Sequence, residues 1–327
     1  MGNEERLNFE APIVELEKKI EDLKSFAESE KIDCEEELSM LYLKLEAVAK
    51  NVYASLTPWQ KVQIARHPQR PYSRDYIDYL FEDFVEMRGD KKFSDDPALV
   101  CGFGKIDGKT FAIVGHQKGR DIKEKMACHF GCAHPEGYRK AWRLMKLAEK
   151  MKVPIITFID TPGAYPGISA EERGQSEAIA ANIMGMTTLR TPSMAIIIGE
   201  GGSGGALGIG LTDIVAIMEN SYYSVISPEG CAAILWRDKD KASEAASALK
   251  IMSKDLLDMG IVDDIIQEPR GGAHRNFKKA AENIKASIFK YTHICENVAI
   301  ETLLDRRYKK YRQMGQFHES PMLKDVN

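Results

Sequence analysis

Five glycines fall within the seven residues Gly199–Gly205, inside the string Ile198-Gly199-Glu200-Gly201-Gly202-Ser203-Gly204-Gly205-Ala206-Leu207. No other segment constrains the fold as strongly. The apolar run Met194–Ile198 precedes it and Ala206–Leu211 follows it, so the glycines lie where a buried strand hands over to a helix. Each costs roughly 0.5–1 kcal/mol relative to alanine in regular structure. The gain is a backbone that a ligand can approach with no Cβ in the way. The first turn of the helix leaves N–H groups without intrahelical partners, and these favour negative charge. Where that charge is a carbonyl oxygen becoming an oxyanion, the donors form an oxyanion hole.

Three other readings compete at this point. Gly199-x-Gly201-x-x-Gly204 fits the dinucleotide fingerprint, with Glu219 near the position of the ribose acid. Against it, the loop lies deep in the chain, and Gly205 exceeds what the fingerprint needs. Gly108-Lys109-Thr110 and Asp160-Thr161-Pro162-Gly163 suggest a GTPase, but a P-loop would need glycine where Phe103 stands. The plainest alternative is that the glycines only permit close packing of helix on strand.

A second loop supports a site. Asp160-Thr161-Pro162-Gly163-Ala164-Tyr165-Pro166-Gly167 follows the apolar run Val153–Ile159. Both loops leave the carboxyl ends of buried strands, where α/β sheets bind ligands. The expected substrate-binding residues are Gly202, Ser203 and Ala206 beside Gly204 and Gly205, together with Gly163, Ala164 and Tyr165, of which Ala164 and Tyr165 offer an apolar wall. No Gly-x-Ser-x-Gly elbow is present, and His116, His129, His134 and His274 fall in no triad pattern.

Around these loops strands and helices alternate. Strands are expected at Ala98–Ile106 and Thr110–Gly115, joined through the turn signal Asp107-Gly108, and at Val153–Ile159, Met194–Ile198, Ile214–Met218 and Val262–Ile266. Helices are expected from a Ser73 cap to about Met87, over Glu136–Met151, Ala170–Met186 and Pro228–Leu235, over Lys241–Met259 with interruptions, and over Asn276–Tyr291. Such alternation means α/β architecture with largely parallel pairing. The first residues differ. Ile13, Leu16, Ile20, Leu23 and Ala27 make one helical stripe, and Leu38, Leu41, Leu45, Val48 and Val52 another, with a turn near Ser29–Asp33. The expected organisation is a helical hairpin over residues 1–57, a main domain over 58–305 and a polar, frayed tail over 306–327.

With 44% apolar and 29% charged residues, a formal charge of −4 and a pI near 6.1, the chain is expected to be globular, with no bulk attraction to nucleic acid or anionic membranes. Its start lacks a signal-peptide core, so a cytoplasmic location is expected. The cysteines are scattered, apart from Cys128 and Cys132, which alternate with His129 and His134. Structural zinc joins two separated ligand pairs, and no second pair exists, so no metal is expected. Lys118, Arg120, Lys123 and Lys125 form a basic run that suits either a solvated loop or contact with a phosphate or carrier.

Long strings resemble one family. Gly115-His116-Gln117-Lys118-Gly119-Arg120-Asp121, Phe130-Gly131, Pro135–Ala141, Ile155–Gly167, Glu171–Glu177, Gly199–Ala206, Tyr223–Cys231, Gly271–Asn276, and the early segments Leu7–Glu10 and Ala65–Tyr72 resemble the alpha subunit of bacterial acetyl-CoA carboxylase carboxyltransferase. The resemblance implies a crotonase-like (ClpP/crotonase) spiral of ββα units. It implies an α2β2 assembly with a zinc-ribbon beta subunit, and function beside biotin carboxylase in the first committed step of fatty acid synthesis. It implies carboxyl transfer from carboxybiotin, carried on a biotin carboxyl carrier protein, to acetyl-CoA. It assigns the oxyanion hole to the N–H groups of Gly204 and Gly205, and this chain carries no Cys-x-x-Cys pair of the beta type. The alternatives are an acyl-CoA hydratase or decarboxylase acting alone, and a non-catalytic nucleotide or nucleic-acid binder.

Overall fold

The computed structural model describes residues 7–315. The reading of Met1–Arg6 and the end of the tail lie outside the described residues. The strands are β1 Glu82–Glu86, β2 Leu99–Ile106, β3 Lys109–His116, β4 Ile155–Thr161, β5 Ser193–Gly202, β6 Ile214–Met218, β7 Tyr222–Ser224 and β8 Asp264–Ile266. The α-helices are α1 Ala11–Glu30, α2 Glu35–Ala54, α3 Pro58–Ala65, α4 Ser73–Leu80, α5 Ile122–Ala127, α6 Pro135–Met151 and α7 Ile168–Glu172. They continue with α8 Gln175–Thr187, α9 Ser203–Gly210, α10 Pro228–Leu235, α11 Ala242–Ala248, α12 Ser253–Asp258, α13 Phe277–Glu296 and α14 Ile300–Arg312. No helix among the described residues is long and apolar enough to cross a membrane.

One sheet runs β1-β2-β3-β4-β5-β6-β8, with β7 paired to the end of β5. Strands β1 to β3 pair antiparallel, and from β3 onward all pairings are parallel. The apolar runs follow from burial on both faces. In β5, Ala195 and Ile197 face a core completed by Leu144 and Met145 of α6 and Ile209 of α9. Met194, Ile196 and Ile198 face the opposite core, with Tyr76 of α4 and Ile284 and Ile288 of α13. Helices therefore cover both sides, and loops lie at the two ends of the parallel strands.

The hairpin forms, but its two stripes differ: that of α1 is buried in part, whereas Leu38, Leu41, Leu45, Val48 and Val52 of α2 are only half-buried. Ile13, Leu16 and Ile20 are buried, and Lys31 closes α1 in the left-handed conformation. Tyr53 donates to Glu10 Oε1 at 2.5 Å, and Arg275 of the main body pairs with Glu10 and Glu17, so the hairpin is tied down.

Four expectations are corrected. The helix begun at Ser73 ends at Leu80, and β1 follows it. Tyr76, Ile77, Leu80 and Phe84 keep a helical spacing, but β1 is an edge strand whose pairing to β2 overrides that pattern. Ser73 is not the cap either. Its side chain is buried with no hydrogen-bond partner, and the Asp75 carboxylate takes the Tyr72 N–H at 2.7 Å. The helix over Ala170–Met186 breaks into α7 and α8 at Gly174, which adopts φ +81°.

The tail after residue 305 is not frayed where it is described, because α14 runs to Arg312. Arg307 is 1% exposed and pairs with Asp213 through Nε at 2.8 Å and Nη2 at 2.7 Å. Its remaining donors meet the carbonyls of Met186, Leu189 and Thr191. Every guanidinium donor group is thus engaged, as a buried charge demands. Arg307→Leu leaves Asp213 buried without its partner. Urea unfolding should show a loss of about 3–5 kcal/mol, and a wild-type midpoint would refute this role.

Candidate active site

The candidate site begins where β4 and β5 end side by side. Parallel pairing aligns Ile159 with Ile197, and Thr161 with Gly201, so the two loops leave the sheet together. Ser203 turns the corner into α9 with φ +52°, a strained value for a residue with a Cβ. Contact between the loops is close enough to require glycine. A Cβ on Gly205 would lie 2.5 Å from the Gly163 carbonyl carbon and 2.6 Å from the Ala164 nitrogen. Gly202 is pressed in the same way against the main chain of Thr161 and Pro162. A Cβ on Gly204 would meet only Ile179 Cδ1, at 3.8 Å.

All eight expected site residues therefore fall on two touching segments, the end of β5 with the first turn of α9 and the loop after β4. Their exposures differ. Ser203 and Gly204 are partly exposed, whereas Gly202, Gly205 and Ala206 are buried. No main-chain acceptor outside the helix takes the Gly204 or Gly205 N–H among the described residues. Tyr138 donates to the Gly205 carbonyl at 3.4 Å from beneath.

The 160–167 loop is fixed by its own contacts. The Thr161 hydroxyl bonds both the N–H and the carbonyl of Gly163. The Tyr165 N–H donates to the Ala133 carbonyl, and Gln175 donates to the carbonyls of Tyr165 and Ala133. The Tyr165 ring stacks on His134 at 4.1 Å.

A cavity of about 300 Å³ opens beside the glycine turn. Ser203, Gly204, Leu207, Tyr223, Val225 and Leu256 are among its walls. Among the described residues, no carboxylate, imidazole or amine lines it. Gly204 faces this cavity, while Gly205, Gly163, Ala164 and Tyr165 are not part of its lining.

Sequence reasoning missed the charged network beneath the loops. Lys118 Nζ lies 2.7 Å from Asp160 and 2.6 Å from Glu200. Asp160 Oδ1 also accepts the Glu200 N–H at 2.9 Å. Glu200 Oε1 accepts from Arg66 at 2.6 Å and from Tyr222 at 2.5 Å, and Arg66 continues to Glu229. Burial opposes ionisation of Glu200, but Lys118 and Arg66 outweigh it and bring its carboxyl down to about 2. For Asp160 burial wins, and its carboxyl is pushed up in spite of Lys118. His116, fully buried and beside Lys118, is driven down to about 3 and stays neutral. The available signal was a charge set inside apolar or glycine-rich runs, Asp160 after Ile155–Ile159 and Glu200 among the glycines.

The basic run proves heterogeneous. Lys118 is an internal ion pair with its side chain 12% exposed. Arg120 pairs with Asp75, donates to the carbonyls of Pro68 and Arg70, and covers the Tyr72 ring. Lys123 lies on the surface, and Lys125 borders a second cavity of about 270 Å³ with Arg66, Lys118 and Glu200.

Solved structures share this arrangement of sheet and helices. Transcarboxylase 12S with methylmalonyl-coenzyme A bound superposes with a TM-score of 0.52 at 21% identity, over 65% of this chain and 42% of that one. The P. aeruginosa geranyl-CoA carboxylase beta subunit gives 0.51 at 16% identity, over 70% and 45%. A Pseudomonas malonate decarboxylase hetero-tetramer in complex with coenzyme A gives 0.52 at 12% identity, over 66% and 86%. The fold is therefore crotonase-like, shared with these proteins.

Sequence narrows the class. The family described as acetyl co-enzyme A carboxylase carboxyltransferase-like matches residues 6–315. Acetyl-coenzyme A carboxylase carboxyl transferase subunit alpha of Fusobacterium nucleatum is 53% identical over 312 residues, 95% of this chain and 100% of that one. The same subunit of Rhodopirellula baltica is 51% identical over 96% of this chain and 98% of that one. The chain belongs to the acetyl-CoA carboxylase carboxyltransferase family.

The network makes a pH prediction. A free glutamate titrates near 4.5 and Glu200 near 2, so its stabilisation is complete above the free value and is lost as pH falls from about 4.5 towards 2. Urea midpoints measured through this window should fall less steeply for Glu200→Gln than for wild type. Parallel profiles would show that Glu200 carries no such linkage.

Proposed function

We propose that the chain is the alpha subunit that takes the carboxyl group of carboxybiotin, held on a biotin carboxyl carrier protein, for transfer to acetyl-CoA, giving malonyl-CoA. The observation that carries this reading is the apolar cavity, lined by no carboxylate, imidazole or amine among the described residues, whose polar end is the glycine-rich first turn of α9. Carboxybiotin supplies activated CO2, and with it a ureido oxygen that becomes negative as the carboxyl group leaves. The cavity suits such a group, since its walls are Leu207, Tyr223, Val225 and Leu256. The N–H groups of Gly204 and Gly205 are the donors for the developing charge, reinforced by the helix terminus. Gly163 and Ala164 hold Gly205 in place from the other loop. The described walls offer no carboxylate, imidazole or amine, so this chain positions and stabilises, and the proton of the acetyl methyl group passes to the biotin nitrogen as the methyl carbon takes up the carboxyl group.

Partners complete the site. Val225, at the cavity, is 79% exposed, and Ile234 and Leu235 on α10 are 70% and 67% exposed. A contiguous apolar patch in the open marks an interface, and these groups are proposed as part of one. The zinc-ribbon beta subunit, carrying the acetyl-CoA site, is the proposed cover in an α2β2 assembly, with biotin carboxylase acting on the carrier separately. The six unpaired cysteines suit a reducing cytoplasm.

The reading is tested by combining the purified chain with its beta subunit, carboxybiotin and acetyl-CoA. Malonyl-CoA should form with both chains and not with this chain alone. Turnover by this chain alone would favour an independent acyl-CoA enzyme. Gly205→Val should lower turnover by at least about 100-fold, the scale of losing one oxyanion donor, with assembly by gel filtration unchanged. Gly204→Ala, which keeps its N–H and meets only Ile179, should lose far less. Equal losses in the two would sink the assigned geometry.

A further inference from the structure

One cluster lies outside the charged network and the cavity. Asp96, before β2, meets His129 and His134 from the segment joining α5 to α6, with one donor atom of each within 4.8 Å of the others. Asp96 is 2% exposed and His134 8% exposed. Three successive residues, His129 at φ +48°, Phe130 at +55° and Gly131 at +87°, take left-handed conformations. This turn brings the His129 and His134 rings to 4.2 Å. Among the described residues His129 Nδ1 is then buried with no hydrogen-bond partner, an arrangement that folded proteins avoid unless something else satisfies the atom.

The carboxylate is oriented for a ligand. Asp96 Oδ1 accepts the Ala98 N–H at 2.9 Å and Oδ2 the His134 N–H at 2.7 Å, which leaves each oxygen a free lone pair. Lys140 does not use that capacity. Its Nζ donates to Asp95 Oδ1 at 2.5 Å and to the main-chain carbonyl of Asp96 at 2.7 Å.

We propose that Asp96, His129 and His134 bind one divalent transition metal of the zinc class, with a fourth position for water. Two imidazoles and a carboxylate are the donor set such ions take. Bonds near 2.1 Å in a tetrahedron need donors about 3.4 Å apart, so the side chains close slightly on the ion through their own torsions. The two cysteines that flank these histidines in sequence are not members of the set. Because the His134 ring stacks on Tyr165, the ion also anchors the 160–167 loop.

The test uses the tag-free, full-length chain stripped with a chelator. Zinc is titrated by calorimetry and cobalt by visible absorption. Wild type should take one equivalent, with a tetrahedral cobalt spectrum, and its melting temperature should rise with zinc. His129→Gln and His134→Gln should each bind at least tenfold more weakly and lose the zinc-dependent rise, while their metal-free melting stays near wild type. Cys128→Ser and Cys132→Ser should bind as wild type does. Absence of stoichiometric binding in wild type, or binding lost in the cysteine variants and kept in the histidine variants, overturns the assignment. None of these readouts depends on carboxyl transfer.

Discussion

One oxygen ties the site to the sheet. Asp160 Oδ1 accepts the Glu200 N–H and the Lys118 ammonium, and so joins the carboxyl ends of β3, β4 and β5. Asp160 and Glu200 are near neighbours of like charge in a region with little water, where their repulsion is scarcely screened. Lys118 lies between them and offsets it. The glycine turn begins two residues after Glu200 and the second loop one residue after Asp160. A shift of either carboxylate would therefore move the main-chain donors above it. Buried ion pairs are weak evidence for stability as such, and their better-attested use is to fix one arrangement among several. Here that arrangement is two loops whose backbones touch too closely for any Cβ at Gly205.

Much of the fold was legible, for one reason. Strands buried on both faces write themselves as unbroken apolar runs, and β4, β5 and β6 were located that way. The turn at Asp107-Gly108 and the stripes of the hairpin were equally local signals. The failures have a different character. β1 depends on pairing with β2, more than a dozen residues away, and its own residues keep a helical spacing. The end of α14 looks polar because Arg307, Lys310 and Tyr311 are polar, yet Arg307 and Tyr311 bond to Asp213 and Thr212, nearly a hundred residues earlier. A charge whose partner is remote in sequence looks solvated until the fold brings the two together.

The site divides along the same line. The placement of the glycine turn and the Gly163–Tyr165 loop at adjacent strand ends was legible because glycine, proline and the strand-to-helix junction are local marks. The network of Arg66, Lys118, Asp160, Glu200 and Tyr222 was not, since its members come from five separated segments. The basic run shows what that costs. Four charges adjacent in sequence serve as an internal ion pair, a clamp on the Pro68–Tyr72 segment, a surface group and a cavity rim.

A cavity lined by no carboxylate, imidazole or amine among the described residues suits the proposed reaction, in which charge moves between oxygen atoms of the bound groups. Side chains that titrate near neutral pH would compete for the proton and add a charge to a space of about 300 Å³ with apolar walls. Main-chain N–H groups cannot titrate, and they need no rearrangement as charge develops. They can serve only if the backbone is held rigid, and glycine is the least rigid residue. The fold resolves this by placing the flexible turn on an inflexible base. Gly205 is wedged against Gly163 and Ala164, Gly202 against Thr161 and Pro162, and both loops stand on Asp160, Lys118 and Glu200. Permissive backbone, close contact and buried charge are thus parts of one arrangement, in which the glycines give access and the ion network removes their freedom.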